Sequence, residues 1–282
     1  MHQAVRHLLS ILRPEKVAEH SYQGAQAGTG PAGRLFGGQV LGQGLFAASL
    51  ELGASLAHSM HASFLQRGVA AEPVHYEVSE LRRSRSFRTV QVTATQKDAS
   101  LLQMIVSHHV AEEGLNHQIP MDAVGPPQGE AYEQALLKVM TPGGFDDAQT
   151  TFSLPVEIRG VGGVGLFSTD PKPPQGRYWM RMRDRVPDDP PLHQALFAYA
   201  SDYAIMGAAL NPHPVAVTSL MSASLDHAVW FHRPFRMDDW VLFELDSPVA
   251  HGARGIGRGL LYTREGELVA SCVQESLLRP RS

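Results

Sequence analysis

Asp202 is the residue whose setting points most directly to chemistry. It lies in Leu192–Ala204, a run dominated by Ala, Tyr and Leu, where a carboxylate is expected to be largely buried. Buried carboxylates are rare unless paired or functional. On the residues alone, a catalytic role and a helix-capping or structural pair both stay open. A carboxylate so placed can accept a proton or hold a water molecule. Ser224 and Gln274 each carry donor and acceptor groups able to orient such a water. Taken singly, the first reads as an ordinary strand serine and the second as a solvent-facing polar position. Arg82, Arg83, Arg85 and Arg88 form a basic cluster that suits either a solvated loop or an anionic ligand.

Other chemistries find little support. Cys272 is the single cysteine, so no intrachain disulfide can form, and its run Leu268–Val273 makes it a small buried strand residue, not a nucleophile. The 14 histidines invite a metal, yet no HExxH motif or Cys/His cluster with ligand spacing occurs, and no metal or other cofactor is expected. No G-x-S-x-G elbow is present. Gly42-Gln43-Gly44-Leu45-Phe46-Ala47 fits only a relaxed dinucleotide fingerprint, and it sits in a helix-like run with no strand before it. A net charge of -4 gives no basic excess for nucleic acid. No apolar run approaches the ~18 residues of a membrane span. Leu8–Leu12, flanked by Arg6, Arg13 and Lys16, reads as an amphipathic first helix and not as a signal peptide.

The elements that must position these groups are written twice. The chain has 282 residues, room for two domains, with a globular balance of 43% hydrophobic and 18% charged residues. At an offset of 166 positions Ala57 meets Ala223, His61 meets His227, Arg88 meets Arg254 and Leu102 meets Leu268. Each copy opens with a helical stretch rich in small residues (37–50 and 192–204), which lets a sheet approach closely. Strand-like runs follow at 74–78, 88–93 and 101–106, and again at 240–245, 257–262 and 268–273. Lys97-Asp98 and Arg264-Glu265-Gly266 supply hairpin turns. Between the copies lies a Pro- and Gly-rich stretch with a helical piece at Glu130–Val139, leading to strands near Val156–Ile158 and Tyr178–Met182. The pattern is α+β. At the same offset Ser224 falls on His58 and Gln274 on His108, so the first copy is expected to lack two of the polar groups.

Several phrases, in order along the chain, resemble the acyl-CoA thioesterase II family, whose bacterial and peroxisomal members share a double hotdog fold. They are Phe36–Gln43, His58–Leu65, Ser86-Phe87-Arg88, Val186–Asp189, Tyr199–Asp202, Leu225–Phe235 and Val269–Glu275. The resemblance implies two tandem hotdog domains, 1–115 and 151–282 with a linker at 116–150. Each would be a long helix wrapped by an antiparallel sheet, meeting edge to edge or pairing helices across a pseudo-twofold with the site at their interface. It implies hydrolysis of fatty acyl-CoA to free acid and CoA, and a homo-oligomer, dimer or tetramer. The catalytic set it implies is an aspartate on the second copy's helix, a threonine or serine before the Asp-His pair, and a glutamine in the last strand: Asp202, Ser224 and Gln274. Serine at 224 keeps the hydroxyl and loses a β-branch.

Gly37 and Gly38 are candidates for close backbone approach to the ligand. His58, Arg85 and Arg88 are candidates for contact with substrate, the arginines with CoA phosphates. Asp226 and His227 are expected to support the site, and Trp230-Phe231 to pack the core. Two alternatives are carried forward. One is a hotdog enoyl-CoA hydratase or dehydratase, to which Asn211-Pro212-His213 bears a superficial likeness. The other is a non-catalytic acyl-CoA-binding protein. Arg281-Ser282 is not a peroxisomal signal, so a cytoplasmic location is expected.

Overall fold

The computed structural model describes residues 1–26, 33–53, 55–140, 153–162 and 167–281. The first copy comprises α1 (Gln3–Leu12), β1 (Glu15–Ala18), β2 (Ser21–Gly24), α2 (Gly37–Leu52), β3 (Leu56–Phe64), β4 (Val74–Arg83), β5 (Phe87–Gln96) and β6 (Ala99–His109). A connecting helix α3 (Tyr132–Met140) leads to the second copy. That copy holds β7 (Val156–Gly160), β8 (Gln175–Met182), α4 (Pro190–Ser201), α5 (Gly207–Leu210), β9 (Leu220–Ser224), β10 (Asp226–Phe231), β11 (Val241–Asp246), β12 (Ala250–His251), β13 (Arg254–Thr263) and β14 (Leu268–Pro280). The expected linker at 116–150 runs past the described residues at its end.

Among the described residues the strands form one 14-stranded antiparallel sheet, in the order β1-β2-β4-β5-β6-β3-β10-β14-β13-β11-β8-β7, with β9 on β14 and β12 on β13. The two halves join where β3 pairs with β10, His61 facing Ala228. Helix α2 is buried on nearly every side, as a helix must be when a sheet covers one face and a second helix the other. It packs on β4, β5 and β6 and crosses α4. The crossing needs glycine: a Cβ at Gly38 would stand 2.3 Å from the carbonyl oxygen of Tyr199, and one at Gly42 2.9 Å from that of Ala195. Helix α4 seats Phe197 against Phe243 of β11, ring centroids 5.6 Å apart. Edge-to-edge sheets and paired helices therefore occur together.

The repeat is real, but its offset is not 166. In β5 the inward residues are Val90, Val92 and Ala94, and in β13 they are Gly257, Gly259 and Leu261, 167 positions on. In β6 the inward Met104, Val106 and His108 correspond to Cys272, Gln274 and Ser276, 168 positions on. The strand pairings fit these offsets, with β5 on β6 and β13 on β14 in matching register. The offset read from identities was wrong by one residue in most strands, which reverses the face of every side chain. With the corrected value, the His61–Ala228 pair lies on the pseudo-twofold axis.

Candidate active site

Asp202 is not on the second helix but directly after it, as the C-cap of α4. It is partly buried, less than its apolar neighbours suggested. A carboxylate at the C-terminus of its own helix is unfavourably placed in that helix's dipole. The opposing copy compensates. The N-terminus of α2 points at it, and the Gly38 N–H donates to Asp202 Oδ2 at 2.9 Å. Glycine at 37 leaves the space the carboxylate uses, for a Cβ there would lie 2.8 Å from Oδ2 and 3.3 Å from the Phe64 ring.

The other carboxylate oxygen, Oδ1, accepts from Ser224 Oγ at 2.9 Å. Ser224 ends β9, and beside it β14 presents Gln274, buried and facing inward instead of toward solvent. From the carboxylate outward, every proton in this network has a determined place. Ser224 gives its proton to Asp202, so its oxygen accepts from Gln274 Nε2 at 3.1 Å. The same amide nitrogen donates to Ser276 Oγ at 3.0 Å. Gln274 Oε1 must then accept, from His227 Nδ1 at 2.6 Å.

His227 is fully buried, and desolvation holds its imidazole in the neutral form against the opposing pull of Asp202. With Nδ1 protonated, its Nε2 is bare and accepts from Ser201 Oγ at 3.0 Å. Ser201 precedes Asp202 in the chain, so the ring closes: Asp202, Ser224, Gln274, His227, Ser201. Ser201 and Ser276 were missed by sequence reasoning. Ser276 carried one faint signal, since it lies two residues beyond Gln274 on the same strand face. His227 was expected to support the site through hydrogen bonds that shape the turn; its bond goes instead to the amide of Gln274, which it fixes.

The first copy lacks the two polar strand residues: by strand register the counterparts of Ser224 and Gln274 are Ala57 and Val106. The expected equivalences of Ser224 with His58 and Gln274 with His108 fall with the offset.

The remaining candidates lie elsewhere. His58 stands six residues before Phe64 along β3, about 20 Å away at the rise of a strand. There it meets Phe87 and His109 on the outer face, ring centroids 5.6 and 6.1 Å away. Arg88 is at the same end. Its guanidinium pairs with Glu80 at 2.7 Å and donates to the Leu52 carbonyl at 3.1 Å. Arg85 is exposed in the β4–β5 turn. The structure thus gathers Gly37 and Gly38 with Asp202, Ser224 and Gln274, and leaves His58, Arg85 and Arg88 apart. Phe231 packs inside as expected, whereas Trp230 faces outward against His61, centroids 5.1 Å apart. Asn211 of the Asn-Pro-His phrase donates to the Gln175 carbonyl. Cys272 is buried, which pushes its thiol well above the usual range. Among the described residues no cluster of His, Cys, Asp or Glu is arranged to hold a metal, and no helix is long and apolar enough to cross a membrane.

Fold and site together define a double hotdog protein with one carboxylate-centred site built by both copies. A family model described as acyl-CoA thioesterase N-terminal domain matches residues 26–109, and one described as acyl-CoA thioesterase matches 155–277. The chain is 34% identical to acyl-coenzyme A thioesterase 8 of Mus musculus, over 96% of this chain and 88% of that protein. It is 31% identical to acyl-CoA thioesterase 2 of Haemophilus influenzae, over 99% of each. The crystal structure of acyl-CoA thioesterase II TesB2 from Mycobacterium marinum superposes with a TM-score of 0.79 at 35% identity, covering 98% of both chains. The chain belongs to the acyl-CoA thioesterase family.

Proposed function

We propose that Asp202, Ser224 and Gln274 hold and activate the water by which this enzyme cleaves its substrate. The reaction is hydrolysis of acyl-CoA to fatty acid and CoA, as the family membership gives it. The observation that supports the residue assignment is the Ser224 hydroxyl held between Asp202 Oδ1 and Gln274 Nε2. Each carboxylate oxygen of Asp202 accepts one hydrogen bond within the protein and has a lone pair left for a water. As the water oxygen bonds to the thioester carbon, its proton passes to Asp202 and negative charge develops on the carbonyl oxygen. Collapse of that intermediate breaks the C–S bond, and the proton on Asp202 goes to the departing sulfur. Atoms and charge balance, with no covalent enzyme intermediate.

Gly38 spends its N–H on the carboxylate, so the α2 N-terminus at Gly37 is the assigned oxyanion donor. Loss of such a donor typically costs about 3 kcal/mol. Held in attack geometry, the water lowers the barrier by ~7 kcal/mol at best. Residues 1–115 and 151–282 are taken as the two hotdog units, working in the cytoplasm as a dimer or tetramer. Sedimentation velocity decides the assembly. The reaction is tested by free-thiol release from acyl-CoAs of graded length beside a hydration assay on enoyl-CoA. Thiol release without hydration supports the reading. Binding without either activity returns the chain to a non-catalytic acyl-CoA-binding protein.

A further inference from the structure

We infer that Asp226 is a positioning residue for the reaction: its carboxylate locks a one-residue β-bulge that turns Ser224 and His227 to the same face of the sheet, one to each end of the Gln274 amide. The inference rests on the proposed role of Gln274 and accounts for how β9 and β10 assemble the network around it.

Residues three apart in a regular strand point to opposite faces. Ser224 and His227 are three apart, yet both reach inward, to Gln274 Nε2 at 3.1 Å and Oε1 at 2.6 Å. Strand register explains this. Along β9, Ser224 stands opposite Ser276 and Leu220 opposite Pro280; along β10, Ala228 stands opposite Val273 and Phe231 opposite Ala270. Between these stretches Leu225, Asp226 and His227 face only Gln274 and Glu275. The extra residue makes a bulge, a device that re-aims side chains beside active sites. Inward positions are the even-numbered Leu220 and Ser224 before it and the odd-numbered His227, Val229 and Phe231 after it.

A bulge disrupts the ladder, and here the group deprived of its backbone partner is the Glu275 N–H. The Leu225 N–H still donates to the Glu275 carbonyl at 2.9 Å, but the Leu225 carbonyl is turned to the other neighbour and accepts from the Phe64 N–H of β3 at 2.9 Å. Asp226 Oδ1 takes the place of that carbonyl, accepting from the Glu275 N–H at 2.7 Å. One exposed carboxylate therefore closes the ladder directly beside Gln274. Phe64, tied to the same bulge, lays its ring against Gly37.

The first copy has the same bulge but no carboxylate in it. The β3–β6 register steps by one residue at His58, between Ala57 opposite His108 and Ser59 opposite Ser107. With the His61–Ala228 pair on the axis, Ala57, Ser59 and Met60 stand where Ser224, Asp226 and His227 stand in the second copy. The bulge thus belongs to the fold, and the hydroxyl, carboxylate and imidazole belong to the copy that carries the site.

Asp226→Asn keeps an oxygen able to accept from the Glu275 N–H, and Asp226→Ala removes it. In thiol release, loss of this charge-assisted bond should lower kcat about tenfold or more in Asp226→Ala at unchanged KM, with Asp226→Asn within about threefold of wild type. The second readout is the ¹⁵N NMR signal of the His227 imidazole, identified by its absence from His227→Phe. In wild type it should report the neutral Nδ1–H tautomer that Gln274 Oε1 imposes. Asp226→Asn should keep that tautomer, and Asp226→Ala should shift it toward a mixture. An unchanged signal in Asp226→Ala, or the same change in Asp226→Asn, overturns the inference. A changed signal with unaltered kcat leaves the lock standing and refutes the catalytic role of Gln274 instead.

Discussion

Replacement of His227 by phenylalanine keeps most of the ring's volume and removes both of its hydrogen bonds. Ser201 has a second acceptor available, the Ala198 carbonyl at 3.2 Å, so its hydroxyl turns there at little cost. Gln274 Oε1 has no such recourse and is left buried without a donor, which costs about 1–3 kcal/mol. The amide relieves this only by rotating so that Oε1 faces Ser224 and Ser276. The Ser224 proton is then drawn toward Gln274 and away from Asp202, and the carboxylate loses the bond that orients it. If that penalty appears in the transition state, kcat falls about 5- to 150-fold, since 1.36 kcal/mol is tenfold in rate. KM should change little, because His227 touches no substrate atom in this account. The assay is thiol release on protein whose unfolding temperature confirms a folded state. His227→Asn, which can place an amide N–H near the position of Nδ1, should recover part of the loss. A folded His227→Phe enzyme with kcat within twofold of wild type would refute the orienting role.

Three further outcomes follow from the same geometry. Ser224→Ala removes a hydrogen bond to a charged group, worth about 1.5–3 kcal/mol, so kcat should drop roughly 10- to 150-fold while Ser224→Thr stays near wild type; equal activity in all three enzymes would count against the site. Gly37→Ala places a Cβ 2.8 Å from Asp202 Oδ2, and displacement of the carboxylate should lower kcat by on the order of 10²-fold, read in the same assay beside an unchanged melting curve. Burial pushes the His108 imidazole down to about 4 from 6.5. Between those values the unfolded chain binds a proton that the folded chain does not, so stability falls as pH falls. From pH 7.5 to 5 this group alone should remove about 2 kcal/mol; denaturant unfolding at the two values, for wild type and His108→Leu, should show the steeper loss in wild type.

The parts of this molecule legible in its sequence are those set by local pattern. The helix at 37–50, the strand runs of both copies, the Lys97-Asp98 turn and the short strands at 156–158 and 178–182 all stand where composition and periodicity put them. Asp202, Ser224 and Gln274 were named through family likeness, and the structure brings them within hydrogen-bond reach of one another. Register is what the linear text conceals. At an offset of 166 Arg88 and Arg254 align as letters, yet a one-residue change in offset turns Ser224 from His58 to Ala57. Ser201, which closes the ring, was hidden for a related reason: it becomes a polar partner only once α4 is folded onto β10, whereas Ser276 meets the Gln274 amide along the strand face they share. Arg88 and Arg85 looked like ligand groups because a basic cluster reads alike whether its charges are free or paired, and Glu80 settles Arg88.

Asp202 as the group that activates the water is tested most directly by thiol release from acyl-CoA in Asp202→Asn beside His58→Ala. Turnover is expected to collapse in Asp202→Asn while acyl-CoA binding persists, and His58→Ala, about 20 Å along β3 from the site, is expected to keep wild-type turnover. Full turnover by Asp202→Asn with loss in His58→Ala would contradict that role and move the chemistry to the first copy.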